Sequence, residues 1–291
     1  MTAVVPAPVP APMSTAPNDA APNAAAPLAP SPQAPSFAAS TAQVARRVLL
    51  HYFRTPQLVV LGTIQGALFL LIFRYVFGGA LSVRGTSYVD FLVPGFVMTS
   101  VLFSGEGAAT GVADDLKEGF VDRLRSLPVP RACFLAGRAV ADTVWGSWGL
   151  VVCSAVGLAV GFRPHGAVLG DLAALGLCAL YGLAFEWLFI FIGLVSGSPQ
   201  AAQGFAFMVF PLTFVSSAYV PVSSMPGWLQ AFAAHQPVTY MVGAVRALTL
   251  GDRATAVLGH SATYFTGWSC AWVGGITAVF GVLAVAQYRR S

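Results

Sequence analysis

From residue 57 onward, long apolar stretches alternate with short polar breaks. A helix crossing a hydrocarbon core of about 30 Å needs about 20 mostly apolar residues. Six stretches meet that requirement: about 57–77, 89–112, 138–161, 171–195, 201–220 and 262–286. The fifth, AAQGFAFMVFPLTFVSSAYV, carries no charge but contains Pro211, which predicts a kink. Residues 221–250 do not make a seventh, because Pro221, Pro226, Pro237, His235 and Arg246 interrupt them. The pattern predicts an all-α, polytopic membrane protein with six transmembrane helices.

Two segments outside the spans are amphipathic. In TAQVARRVLLHYFR (41–54), helical spacing puts Arg47, His51 and Arg54 on one face and Val44, Val48, Leu49, Tyr52 and Phe53 on the other. A basic amphipathic helix beside a first span is expected to lie along the inner leaflet, with its cations at anionic headgroups. It serves there as a topology anchor, or also touches a cytoplasmic partner. The second segment, 113–131, separates spans two and three and carries eight of the 26 charged residues. Leu116, Phe120, Leu124 and Leu127 recur as an apolar stripe, and Pro128 and Pro130 then end the helix. This is either a solvated loop or a short helix suited to docking in a groove on a soluble protein.

Composition agrees with the pattern. Of 291 residues 56% are apolar and 9% charged, against about 25% charged in an average soluble domain, and the mean hydropathy is +0.73. Such a chain lacks the charged skin that a soluble protein of this size needs. Residues 1–45 hold no Lys or Arg, one acid (Asp19) and ten of the twenty prolines. Residues 1–40 are therefore expected to be a disordered, Pro/Ala-rich cytoplasmic tail. With the amino terminus inside, ten basic residues, including Arg46, Arg47, Arg54, Lys117, Arg123 and Arg131, fall on the inner side, against five outside. That bias places both termini in the cytoplasm. The four cysteines are scattered singly, and the histidines are too dispersed to suggest a metal site. The single lysine, Lys117, lies in Leu-Lys-Glu-Gly, so no P-loop is present. Small-xxx-small pairs such as Gly107/Gly111 and Gly193/Gly197 permit close helix packing.

Charge inside the spans is the remaining chemistry. Glu186 lies fifteen residues into a 24-residue apolar run starting at Leu172. An ionisable group at such depth is costly and is a functional candidate by default. It lines a pathway and attracts a cation, or carries a proton. Otherwise it is neutral or hydrogen-bonded to Gln203 or a nearby hydroxyl. Glu106 and Asp142 lie nearer the cytoplasmic ends, and Arg138 with Asp142 makes a natural i,i+4 pair.

The run Glu118-Gly-Phe-Val-Asp-Arg-Leu-Arg-Ser-Leu-Pro-Val-Pro-Arg131 resembles the E-G-x-x-(D/E)-R-(F/L)-R-S-L-P-(I/V)-x-R signature of type-two ABC transporter permeases, and within them the daunorubicin-resistance permease group. Two further stretches are similar to that group in order. They are Ser198-Pro-Gln-Ala-Ala-Gln203 with Phe210 to Pro221, and Met225 to Phe232 with His235-Gln-Pro-Val-Thr and Ala244-Val-Arg-Ala-Leu248. The resemblance covers 41–291, and Gln236 stands where many relatives have Asn. It implies one transmembrane domain over 41–291, with 41–54 as the interfacial helix (Arg47, His51, Arg54). It also implies a cytoplasmic coupling helix using Leu116, Glu118, Gly119, Asp122, Arg123, Leu124 and Arg125. Residues 222–250 would be a re-entrant outer segment between spans five and six. The implied assembly is two permeases, as a homodimer, with two ABC ATPase subunits in the bacterial cell membrane. ATP and Mg would be held by the partner ATPase, with no cofactor on this chain and no nucleic acid partner. The implied task is alternating-access export of hydrophobic drugs, antibiotics or lipids; the pathway candidates, Glu186, Glu106 and Gln203, come from polar residues within the spans and not from the resemblance. The alternative is a proton-coupled secondary transporter using Glu186 or Glu106.

Overall fold

The computed structural model describes residues 36–79, 83, 85–126, 129–130 and 132–290. The tail expected over 1–40 lies outside them up to residue 35. Helix α1 (Phe37–Arg54) starts four residues before the expected interfacial helix, where the Ser36 side chain accepts a hydrogen bond from the Ala39 amide. Its inward face carries Val44, Ala45, Val48 and Tyr52, while Arg46, His51, Phe53 and Arg54 are exposed. Phe53 thus departs from the apolar face that spacing assigned to it. At Thr55 the chain turns into α2 (Pro56–Ile72), with proline in the first turn, where its missing N–H costs nothing. A π-helical turn (Phe73–Phe77) continues α2.

α3 (Tyr88–Lys117) is the axis of the bundle. In its membrane-spanning window 83% of residues are buried, whereas in that of α2 only 6% are. α5 (Ala132–Ala159), α6 (Val168–Val195), α7 (Pro199–Phe207) and α10 (Pro237–Leu250) pack around α3, and α12 (Ala262–Arg290) packs on α6 and α10. Between α3 and the short α4 (Phe120–Arg125) the backbone turns at Gly119, whose φ of +68° is a left-handed conformation that favours glycine. The helix expected across 113–127 is therefore two helices. Every described element is helical, as the hydropathy pattern predicts.

Among the described residues, five helices are long and apolar enough to cross a membrane. The expected fifth span, 201–220, does not form one continuous helix. α7 ends in tight turns, with the Met208 amide on Phe205 O and the Val209 amide on Ala206 O, and α8 (Phe210–Phe214) restarts with Pro211 in its first turn. Proline cannot donate to the preceding turn, so the helix stops and restarts rather than kinks. The Gln236 side-chain amide donates to Leu212 O (3.0 Å) and Val215 O (3.1 Å), satisfying carbonyls where α8 ends. Gln236 also separates α9 (Gly227–His235) from α10, a helix buried along most of its length. α11 (Ala254–Leu258) then leads to α12.

Candidate functional site

At the end of the bundle that bears α4, four charges meet across three helices. The i,i+4 spacing on α5 lets Arg138 Nε donate to Asp142 Oδ2 at 2.7 Å. Its Nη1 donates to Asp115 Oδ2 of α3 at 3.3 Å, and its Nη2 to Gly107 O at 2.9 Å. Asp115 receives a second cation, Arg47 of α1, at 2.8 Å. Tyr52 of α1 donates its hydroxyl to Asp142 Oδ1 at 3.0 Å and stacks on Trp145 at 4.7 Å between centroids. Two cations and two carboxylates balance, as a buried ionic cluster requires. The cluster is tightly fitted: a Cβ at Gly111 would strike the Arg138 guanidinium. Burial first, and then the Asp142 carboxylate, holds the Tyr52 phenol well above its ordinary range, so it stays a donor.

This cluster is joined to α4 through Arg47, whose guanidinium lies 3.8 Å from the centroid of the Phe120 ring. Beside it, Leu116, Phe120 and Leu124 pack on an apolar cluster that contains Val44, Val121, Phe134, Ile190, Leu194 and Tyr288. Of the coupling candidates, Glu118, Asp122 and Arg123 are exposed and Leu116 and Leu124 half-buried, with Gly119 at the bend. The Arg125 side chain lies outside the described residues. In the interfacial set, His51, Arg54 and Arg47 are all exposed, and Arg47 in addition reaches Asp115 and Phe120.

The pathway candidates separate. Glu106 Oε1 accepts a 2.7 Å hydrogen bond from Gln203 Nε2, which joins α3 to α7. One turn before Glu106, Phe103 packs on Phe210 with centroids 4.6 Å apart, and Phe207 meets the same ring edge-on. The pair and its aromatic surround lie on a surface with exposed Phe205, Phe207 and Met208. Glu186 is elsewhere. It is 1% exposed on α6, its Oε2 has no hydrogen-bond partner, and Asp142 and Arg138 are the charges that act on it. Of the partners considered for Glu186, Gln203 instead donates to Glu106.

A second buried cation was not among the sequence candidates. Arg246 of α10 is fully buried and donates to Phe91 O and Ala218 O, each at 2.8 Å, with its guanidinium 3.5 Å from the Phe91 ring centroid. It fastens α10 and the turn after α8 to the far end of α3. A lone arginine inside an otherwise apolar helical run was the available signal. Asp115 and Tyr52 were also missed, since both resemble ordinary amphipathic positions until their partners are known.

Comparison with known proteins gives a consistent picture. Residues 40–250 match the family described as ABC-2 type transporter. The daunorubicin resistance ABC transporter permease protein DrrB1 of Streptomyces coeruleorubidus is 30% identical over 77% of this chain and 76% of its own length. The probable doxorubicin resistance ABC transporter permease protein DrrC of Mycobacterium tuberculosis is 26% identical over 88% of this chain and 90% of its own. The inner membrane transport permease YadH of Escherichia coli is 26% identical over 67% and 76%. None of these names describes a proton-coupled carrier.

Proposed function

Because this chain belongs to the ABC-2 type transporter family, we propose that it is the membrane permease of an ATP-driven exporter of hydrophobic drug-like molecules, working with a separate ABC ATPase subunit. The observation that carries the coupling part is the ionic cluster behind α4. Force applied to α4 reaches α1 through Arg47 and Phe120, and reaches α3 and α5 through Asp115, Arg138 and Asp142. The exposed Asp122 and Arg123 are the proposed contact with the ATPase, which supplies ATP and Mg. α1 lies along the inner leaflet in this reading.

Both termini are cytoplasmic if the broken segment after α7 supplies the sixth crossing. Support comes from its route along α3. Gln203 meets Glu106, Ala218 O meets Arg246 beside Gly95, and Tyr219 O accepts from the Tyr88 hydroxyl at 3.3 Å. Glu106 to Tyr88 is about 27 Å of helix, close to one hydrocarbon thickness. Residues 222–250 then re-enter from the outer side, held by Arg246 and Gln236.

An intramembrane carboxylate faces protein or water rather than lipid tails. Glu106 with Gln203 therefore lines the export pathway, which a second copy of the chain encloses in a homodimer with two ATPases. The almost unburied α2 is apolar all round, as a helix facing lipid or another subunit should be. Glu186 belongs to the inner cluster in this scheme, not to the pathway wall.

The test is export of a fluorescent hydrophobic cation from proteoliposomes holding the chain and its ATPase. Export should need ATP and the ATPase. Reversing Asp122 and Arg123 together (Asp122→Arg, Arg123→Asp) should abolish ATPase association while membrane insertion is retained. Export driven by a proton gradient in the chain alone would overturn the reading.

A further inference from the structure

α12 and α6 leave between them a cavity of about 450 Å³, lined by Trp187 of α6 and by Ala278, Gly281, Val282, Val285 and Arg289 of α12. That is the size range of a small-molecule site. The α12 positions recur at helical spacing, so the groove follows one face of the helix for about 16 Å. This is about half of a 30 Å hydrocarbon core, the depth of one leaflet. Gly281 faces the Trp187 ring across the floor, where a Cβ would make ordinary contact at 3.8 Å and only a larger side chain would fill the slot.

The two ends of the groove differ. Toward Ala278 the lining is apolar apart from the Thr277 side chain. The other end reaches Arg289, in the last turn of the span and exposed, for which no carboxylate partner exists among the described residues. Its neighbour Tyr288 stacks on Phe134 at 5.7 Å, which puts Arg289 at the level of α1 and α4, the inner headgroup region. A leaflet-deep, mostly apolar slot whose headgroup end carries a cation unpaired among the described residues matches one kind of occupant. We propose that this groove is a site for an anionic phospholipid of the inner leaflet, with an acyl chain along Gly281 and Val285 and the phosphate on Arg289.

The site has a consequence for coupling. Trp187 and Val285 line the groove and also pack on the apolar cluster that supports Phe120 and Leu124 of α4. A seated acyl chain therefore braces the inner end of α6 and α12 against the surface on which α4 rests. Only the assignment to the inner leaflet rests on the proposed orientation; the site itself is tested apart from export, because lipid retention is measured without ATP or a partner.

The purified chain is exchanged into mixed micelles holding equal amounts of phosphatidylglycerol and phosphatidylcholine, and retained lipid is counted by native mass spectrometry. One cation at a membrane surface corresponds to about fivefold preference for the anionic lipid, so wild type should show that ratio. Arg289→Gln should bring it to parity, Arg289→Lys should restore it, and Arg290→Gln should leave it unchanged. Gly281→Phe, which fills the slot, should lower retention of both lipids. The proposal is overturned if Arg289→Gln keeps the wild-type ratio. It is equally overturned if Arg290→Gln loses the ratio as fully, since the preference would then belong to surface charge in general.

Discussion

Removing the Arg138 guanidinium is the sharpest perturbation of the inner cluster. Methionine has similar length and no donors, so Arg138→Met deletes the contacts to Asp142, Asp115 and Gly107 O and leaves the local charge at minus one. Asp142 is 1% exposed and would keep only the Tyr52 hydroxyl. Breaking a buried ion pair by removing one partner costs about 3–5 kcal/mol, a shift on the order of a thousandfold in the unfolding equilibrium. Arg47→Met removes a cation from the same Asp115, but its side chain is 44% exposed. Solvent screening then limits that cost to about 1 kcal/mol or less. The assay is equilibrium unfolding of the purified chain in mixed micelles titrated with sodium dodecyl sulfate, followed by far-ultraviolet circular dichroism. A second variant checks the cause: Arg138→Met with Asp142→Asn strands no extra charge and should recover part of the loss. The reasoning fails if Arg138→Met stays within about 1 kcal/mol of wild type, or if Arg47→Met costs as much.

Three further outcomes follow from the same geometry. Tyr52→Phe keeps the stack on Trp145 and loses one hydrogen bond to Asp142, so the same titration should show a loss of about 0.5–1.5 kcal/mol. Gly111→Ala forces the Arg138 guanidinium to move and should cost about 1–3 kcal/mol, with the loss reduced in an Arg138→Met background because the clash is gone. For transport, Glu106→Gln should slow export of a hydrophobic cation several-fold more than that of a neutral analogue, whereas Glu186→Gln should affect both alike. A cation-selective defect in the Glu186 variant and none in the Glu106 variant would reverse the two assignments.

The long helices were legible because an apolar run of span length admits few alternatives. The break at Met208–Pro211 was only half legible. Proline announces an interruption, but hydropathy is the same for a kinked span and for two short helices. The break itself shows in the Met208 and Val209 amides, which turn to carbonyls three residues back, and α8 then ends where the Gln236 amide takes up the Leu212 and Val215 carbonyls from more than twenty residues away. The inner cluster divides along the same line. Arg138–Asp142 follows from helical spacing alone, whereas Arg47–Asp115 and Tyr52–Asp142 join residues 68 and 90 positions apart. Helical periodicity tells which side chains share a face, not what that face meets.

That distinction explains why Glu186 and Glu106 exchange importance between sequence and structure. Depth in an apolar run made Glu186 the stronger candidate, because the cost of a charge depends on distance from water. Depth says nothing about direction around the helix. Glu186 points into the packed bundle, toward Asp142 and Arg138, where a diffusing molecule has no entry. Glu106 looks milder by depth but faces outward beside exposed aromatic rings, paired to an amide that can be displaced. A carboxylate in a span can be closed off within its own bundle or left open on an outer face. Only the second arrangement stays open to the chain's surroundings, which is why the proposed export pathway is built on Glu106 and not on Glu186.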